Sequence, residues 1–308
     1  MSCYSPINAW HSKSVNPDTG KRLLQFKPQG SFFGYRIKLP CGACPGCKLE
    51  RSRQWGIRCM HENRMHKNSC FITLTYRNET LPSNGSLVKR DLVLFHKRFH
   101  NRLLRERGFG IRYYACGEYG TTHKRPHYHS LIFGYDFADK LLYSRNRRDE
   151  PIYSSRLLDE IWGLGDCKLG EVTFDSACYV ARYCMETVSK KEREAGHYVV
   201  YDSDGLVHER VPEFQMMSRV PGIGSTYFDR YKSEIMAHDT IIMGNREVPS
   251  VRYYDQKIEA IDPDRYRVIK RNRVRKALLG DKLEAGPDRM RIKELLLIKR
   301  MKQKERAL

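Results

Sequence analysis

Acidic residues are scarce relative to basic ones: 36 aspartates and glutamates stand against 56 lysines and arginines, a formal net charge of +20 over 308 residues. A surface of that sign repels cationic partners and attracts polyanions, nucleic acid first among them. No apolar run approaches the ~20 residues of a membrane span. The opening MSCYSPINAWHSK lacks the basic-then-apolar order of a secretory leader, so a cytoplasmic protein is expected. A phosphate-binding loop ending in Gly-Lys-Ser or Gly-Lys-Thr is also missing, which leaves strand separation to another protein. Internal repeats and low-complexity tracts are absent as well, which excludes a solenoid or a tail of biased composition.

What is present can build a core, since 40% of residues are hydrophobic and 11% aromatic. In a reducing compartment the ten cysteines read as core residues, metal ligands or reactive groups rather than disulfides. Residues 1–40 are turn-rich, 49–66 suggest a helix, and CFITLTY (70–76) is a strand by its β-branched and aromatic content. Leu92, Phe95, Phe99 and Leu103 recur at helical spacing within a basic segment, 89–107, that stops at Gly108. Residues 111–119 and 127–133 read as a hairpin joined by GTTHKRP. A basic loop, a short helix ending near Trp162, the strand CKLGEVTF and a helix from an Asp175 cap follow. The apolar stripe of that last helix is Ala177, Val180, Ala181, Cys184 and Val188. Such an order fits an α+β fold, an antiparallel sheet of the split βαβ type (ferredoxin-like or RRM-like) with helices on one face. The expected division is an N-terminal segment with a Cys-rich loop (1–66), the core (67–195), an accessory segment packing on it (196–263) and a basic helical tail (264–308).

Residues two apart on a strand share a face, so His127 and His129 converge while Tyr128 points away. The hairpin brings Glu118 toward them. Two imidazoles and a carboxylate suit a divalent cation such as Mg²⁺ or Mn²⁺ that must also touch phosphate; His123, in the turn, is a competing third ligand. In YVARY, Tyr179 and Tyr183 lie one helical turn apart and can address one site, and a phenol attacks phosphorus once its proton is lost. Each feature alone serves equally well as packing; together they point to phosphoryl transfer.

These residues carry a resemblance. The strand FITLTY, then GEYG with RPHYH, then YVARY resemble the three ordered motifs of the HUH superfamily of single-stranded DNA endonucleases, and more closely the rolling-circle replication initiators of gokushovirus-type microviruses. CGACPGC and MSRVPGIGSTY are similar to further segments of that group, so the likeness covers roughly residues 1–232. It implies a cation held by Glu118, His127 and His129, with Tyr179 and Tyr183 as nucleophiles that form a 5′-phosphotyrosyl link and free a 3′-hydroxyl primer. Reclosure then circularises the product. Arg182 and Glu186 stand where related initiators often carry lysines, which leaves Arg182, Lys190 and Lys191 as candidates for the assisting cation. Origin DNA, a host helicase and replication machinery would be the partners, in the host bacterial cytoplasm. The alternatives are a non-catalytic basic DNA- or RNA-binding protein and a related initiator or transposase of a plasmid or mobile element.

Cys41, Cys44 and Cys47 are spaced to meet one ion, structural Zn²⁺ being expected and an iron–sulfur cluster the rival, with Cys3 as fourth ligand and Cys59 as second choice. Lys89, Arg90 and Lys97 of the basic helix, Arg125 beside the histidines, and the tail are expected to contact DNA phosphates. Tyr113, Tyr114, Tyr119 and Tyr128 are candidates for stacking on unpaired bases.

Overall fold

The computed structural model describes residues 3–18, 20–120, 123–183, 193–201, 204–279 and 286–306. It divides into two compact units, one of residues 1–51 with 279–308 and one of residues 52–278. The first holds a three-stranded antiparallel sheet of β1 (Ile7–Val15), β2 (Arg22–Gln25) and β3 (Ile37–Leu39), with β1 central. Helix α1 (Pro45–Asn63) begins in it and runs on into the second unit.

The second unit is built on seven strands. In chain order they are β4 (Ser69–Thr75), β5 (Arg112–Tyr119), β6 (Pro126–Phe133), β7 (Leu141–Arg145), β8 (Pro151–Ser154), β9 (Cys167–Gly170) and, after the short hairpin β10 (Val199–Tyr201) and β11 (Val207–Glu209), β12 (Phe214–Met217). Their spatial order is β12-β5-β6-β4-β9-β8-β7, antiparallel throughout. Helices α2 (Lys89–Arg107), α3 (Arg156–Trp162) and α4 (Phe174–Tyr183) interleave with them. Beyond β12 come α5 (Ser225–His238), the hairpin β13 (Thr240–Met243) and β14 (Arg246–Pro249), α6 (Arg252–Ile261) and α7 (Pro263–Leu278); α8 (Pro287–Arg306) lies in the tail. The expected strands of the core and the basic helix are all there.

Period-two alternation sorts the two faces of the sheet. Ile72 and Leu74 of β4 and Tyr128 and Ile132 of β6 join Leu92, Phe95 and Phe99 of α2 and Trp162 of α3 in one core. Leu131 and Phe133 of β6 and Tyr114 and Cys116 of β5 join Cys59 of α1 and Ala177, Val180 and Ala181 of α4 in another. Helices therefore cover both faces, against the expected single face. The reason is legible in β6, where seven of eight residues are buried: a strand apolar on both sides needs a cover on each.

Three further differences are local. The loop read as merely basic contains the β7–β8 hairpin, which extends the sheet at one edge. The weakly periodic segment after 195 supplies β12, the opposite edge, which pairs Phe214 with Gly117. Asp175 lies inside the first turn of α4. The cap is Thr173, whose hydroxyl accepts from the Ser176 amide at 3.0 Å while its own amide donates to Ser176 Oγ at 2.8 Å. Cys184 and Val188 of the expected stripe are outside the described residues.

Tyr114 and Tyr128 are fully buried, and Tyr113 and Tyr119 pack on the α2 side. Tyr114 stacks on Trp55 at 4.9 Å, and Tyr128 shares a hydrogen bond of 2.8 Å with Tyr76. These rings are core, which removes Tyr114 and Tyr128 as base-stacking platforms. The segment MSRVPGIGSTY is tied in by Glu62, which accepts from the Gly224 amide at 2.7 Å. Gly224 has φ +78° and lies so close to Tyr254 and Arg58 that a β-carbon would stand 2.9 Å from the Tyr254 hydroxyl. Among the described residues no helix is long and apolar enough to cross a membrane.

Trp162 is fully buried between α2 and the sheet and donates its indole N–H to the Thr75 carbonyl at 2.7 Å. Trp162→Ala is expected to destabilise the second unit by about 3–5 kcal/mol, read as a lowered urea midpoint; an unchanged midpoint would contradict this core assignment.

Candidate active site

The site lies on the sheet face covered by α4. Glu118 sits opposite His127 in the β5–β6 register, and Cys116 opposite His129, so Glu118, His127 and His129 project from one face at adjacent positions. Their ligand atoms all fall within 4.8 Å of one another. Glu118 Oε1 is 2.8 Å from His127 Nε2 and 3.0 Å from His129 Nε2. From above, the Tyr179 hydroxyl donates to the same oxygen at 3.3 Å, and its ring meets His129 edge-on at 5.3 Å.

The other atoms of the imidazoles are held in place. His127 Nδ1 is 3.1 Å from the Arg125 carbonyl, which can only accept, so Nδ1 carries a proton. His129 Nδ1 is 3.0 Å from Thr73 Oγ1, and its ring stacks on Phe71 at 5.4 Å. Both Nε2 atoms are thereby turned toward the carboxylate. Such outer partners fix the ring orientation of metal-binding histidines.

Charge balance in this pocket is tight. Burial alone would push the Glu118 carboxyl up, but hydrogen bonds from the two imidazoles and their charge bring it down to about 2. Burial would lower His127, and the Glu118 hydrogen bond and charge raise it above its ordinary value. His129, fully enclosed, is lowered by burial, with Glu118 only partly compensating. One carboxylate therefore faces two imidazoles and holds a proton between itself and His127. Glu118 Oε2 is buried with no hydrogen-bond partner. A buried carboxylate oxygen left open beside two imidazole nitrogens fits a hard or borderline divalent cation, which would take the place of the His127 proton.

The expected site residues are distributed unevenly. Glu118, His127, His129 and Tyr179 come together, while His123 stays in the exposed turn. Tyr183 is the last residue of α4, one turn after Tyr179, and its side chain is outside the described residues, as are Lys190 and Lys191. Arg182 sits on α4 beside Cys178, whose thiol feels its charge. Arg125 turns its guanidinium onto Asn78 Oδ1 and the Tyr76 carbonyl at 2.9 and 2.7 Å, bracing the turn that presents His127. Lys89, Arg90 and Lys97 are exposed on α2, which covers the opposite face of the sheet. Thr73 is the participant the sequence reading passed over. It lies between Phe71 and Thr75 on one face of β4, and only the β4–β6 register, which pairs Thr73 with His129, reveals its role.

Glu118→Gln keeps the shape of the carboxylate and removes its charge. His127 is expected to titrate below the ordinary 6.5 in that variant, since burial then acts alone, and above it in the parent chain. An imidazole NMR titration with the two midpoints equal would contradict this electrostatic account.

Known proteins are similar to this chain in the same region and beyond it. Residues 69–188 match the family profile of the replication-associated protein ORF2. The chain is 29% identical over 272 residues to replication-associated protein VP4 of Bdellovibrio phage phiMH2K, covering 86% of this chain and 80% of that protein. It is 30% identical over 230 residues to replication-associated protein ORF2 of Spiroplasma virus 4, covering 72% and 68%. Against replication-associated protein ORF4 of Chlamydia phage 1 the identity is 28% over 226 residues, covering 71% of this chain and 53% of that protein. No solved structure matches. The motif-bearing core and most of the flanking chain are thus shared, and the chain belongs to the replication-associated proteins of microvirus-type phages.

Proposed function

We propose that this protein starts rolling-circle replication by nicking single-stranded origin DNA through a tyrosine. The observation that carries the reading is the Tyr179 hydroxyl 3.3 Å from Glu118 Oε1, inside the cluster formed with His127 and His129. Glu118, His127 and His129 would hold Mg²⁺ or Mn²⁺. When bound, the ion supplies charge that draws electrons from the scissile phosphate.

The chain's own residues do the rest. Tyr179 oxygen attacks phosphorus, the bond from phosphorus to the 3′ oxygen breaks, and the phenolic proton ends on the released 3′-hydroxyl. Glu118 Oε1 accepts the hydrogen bond from the phenol and so aims that proton away from the attacking lone pair. The product is a 5′-phosphotyrosyl link that stores the energy of the broken bond. Tyr183, one turn along α4, serves a second cleavage after one round, and the free 3′-hydroxyl reseals the circle. Arg182, with Lys190 and Lys191, is the reserve of positive charge for the leaving oxygen. Lys89, Arg90, Lys97 and Arg125 add sequence-independent attraction for DNA phosphates. The protein would work on its DNA in the host cytoplasm, beside a helicase of the host.

The test uses labelled single strands of the phage's own genome, Mn²⁺ and a denaturing gel. The parent chain should form a covalent adduct. Tyr179→Phe combined with Tyr183→Phe should abolish it, as should His127→Ala combined with His129→Ala. An adduct that survives the double phenylalanine change rejects the nucleophile assignment.

A further inference from the structure

The proposed cleavage uses none of the cysteines, yet four of them meet at one point in the N-terminal unit. The sulfurs of Cys3, Cys41, Cys44 and Cys47 lie within 4.8 Å of one another, Cys44 Sγ is 3.9 Å from Cys3 Sγ, and all four are free thiols. An ion bound by four thiolates at about 2.3 Å has sulfur–sulfur edges of about 3.8 Å. The cluster thus has the dimensions of a single tetrahedral ion. A four-iron cluster ligates each thiolate to a different metal atom and spreads the sulfurs wider. Cys59, the second candidate for fourth ligand, is fully buried in the α1–α4 core and lies outside the group.

The backbone around the thiols is arranged for negative sulfur. The Cys41 amide donates to Cys3 Sγ at 3.2 Å, the Cys44 amide to Cys41 Sγ at 3.3 Å and the Tyr4 amide to Cys44 Sγ at 3.4 Å. Hydrogen bonds to the charged form favour it. Gly42, at φ +76°, gives the reversal that lets Cys41 and Cys44 face each other. Cys47 falls in the first turn of α1, where the helix dipole also favours a thiolate.

A second observation is independent of the thiols. Between residues 3 and 51 the buried hydrophobic residues are Ala9 and Cys44 alone among those described, while Phe26, Phe33 and Tyr35 are 63, 66 and 77% exposed. A three-stranded sheet with so little apolar burial does not hold itself together. The thiol cluster joins the start of the chain to the loop before α1, closing the span from Cys3 to Cys41 that contains the whole sheet.

We propose that Cys3, Cys41, Cys44 and Cys47 bind one Zn²⁺, and that this ion takes the place of a hydrophobic core in the N-terminal unit. Binding and folding of that unit are then one event, as in small zinc domains. The ion has no chemical role: four thiolates close its coordination.

Full-length protein purified with zinc present should retain one zinc per chain through dialysis, measured by elemental analysis, and cobalt exchange should give the absorption of a tetrahedral tetrathiolate. Cys44→Ser and Cys3→Ser should each lose that ion, whereas Cys70→Ser and the His127→Ala, His129→Ala pair should keep it. In hydrogen exchange, removal of zinc should expose residues 3–47 and leave β4, β5 and β6 protected, which separates local loss from global unfolding. Zinc retained by Cys44→Ser but lost with the histidines, iron in place of zinc, or a zinc-free parent chain with residues 3–47 fully protected would each overturn the proposal.

Discussion

A single buried carboxylate organises the molecule's chemistry. Glu118 is 3% exposed and sits under α4, where an unpaired negative charge is costly. It is tolerable because the β5–β6 register sets His127 directly across from it and His129 two residues further along the same face. A slip of one residue would send both imidazoles into the α2 core and bring Tyr128 to the carboxylate. The register is held from the far face by Tyr128, whose hydroxyl lies between the Tyr76 hydroxyl and the backbone of Val88. Apolar burial on one side of the sheet therefore fixes polar geometry on the other.

Helix α4 brings the phenol to that geometry. Its Ala177, Val180 and Ala181 are fully buried against the sheet, and small residues at the contact let the helix lie close. On its other side, Gly56 of α1 leaves room for Cys178 and Phe174, where a β-carbon would come within 2.5 Å of the Cys178 sulfur. Ser52 donates to the Cys178 carbonyl at 2.8 Å. The position of Tyr179 is thus set by packing from two directions, with its hydroxyl left to the site.

Much of this was legible in the sequence. The strands around the histidines and the basic helix follow from period and composition, and the pairing of Glu118 with the histidines follows once 111–119 and 127–133 form a hairpin, because a local turn fixes their register. The features that escaped depend on distant parts of the chain. The edge strand β12 is four residues long and pairs with β5 across about a hundred residues of chain. The role of Thr73 needs the β4–β6 register, which no local turn specifies. The cover on the second face comes from α1, far upstream, and the buried tyrosines read as exposed platforms because aromatic residues suit strands in either role. The basic character that marks the chain as a polyanion binder is spread over both faces, so charge alone does not locate the site.

The central claim is that Glu118, His127 and His129 share one divalent cation beneath Tyr179. Anomalous diffraction from crystals soaked in Mn²⁺ tests it most directly. The account predicts a peak bounded by the Glu118 carboxylate and the Nε2 atoms of both histidines, with the Tyr179 hydroxyl facing it. An empty cluster in crystals that take up manganese elsewhere, or a Tyr179 side chain turned away from the ion, would contradict it.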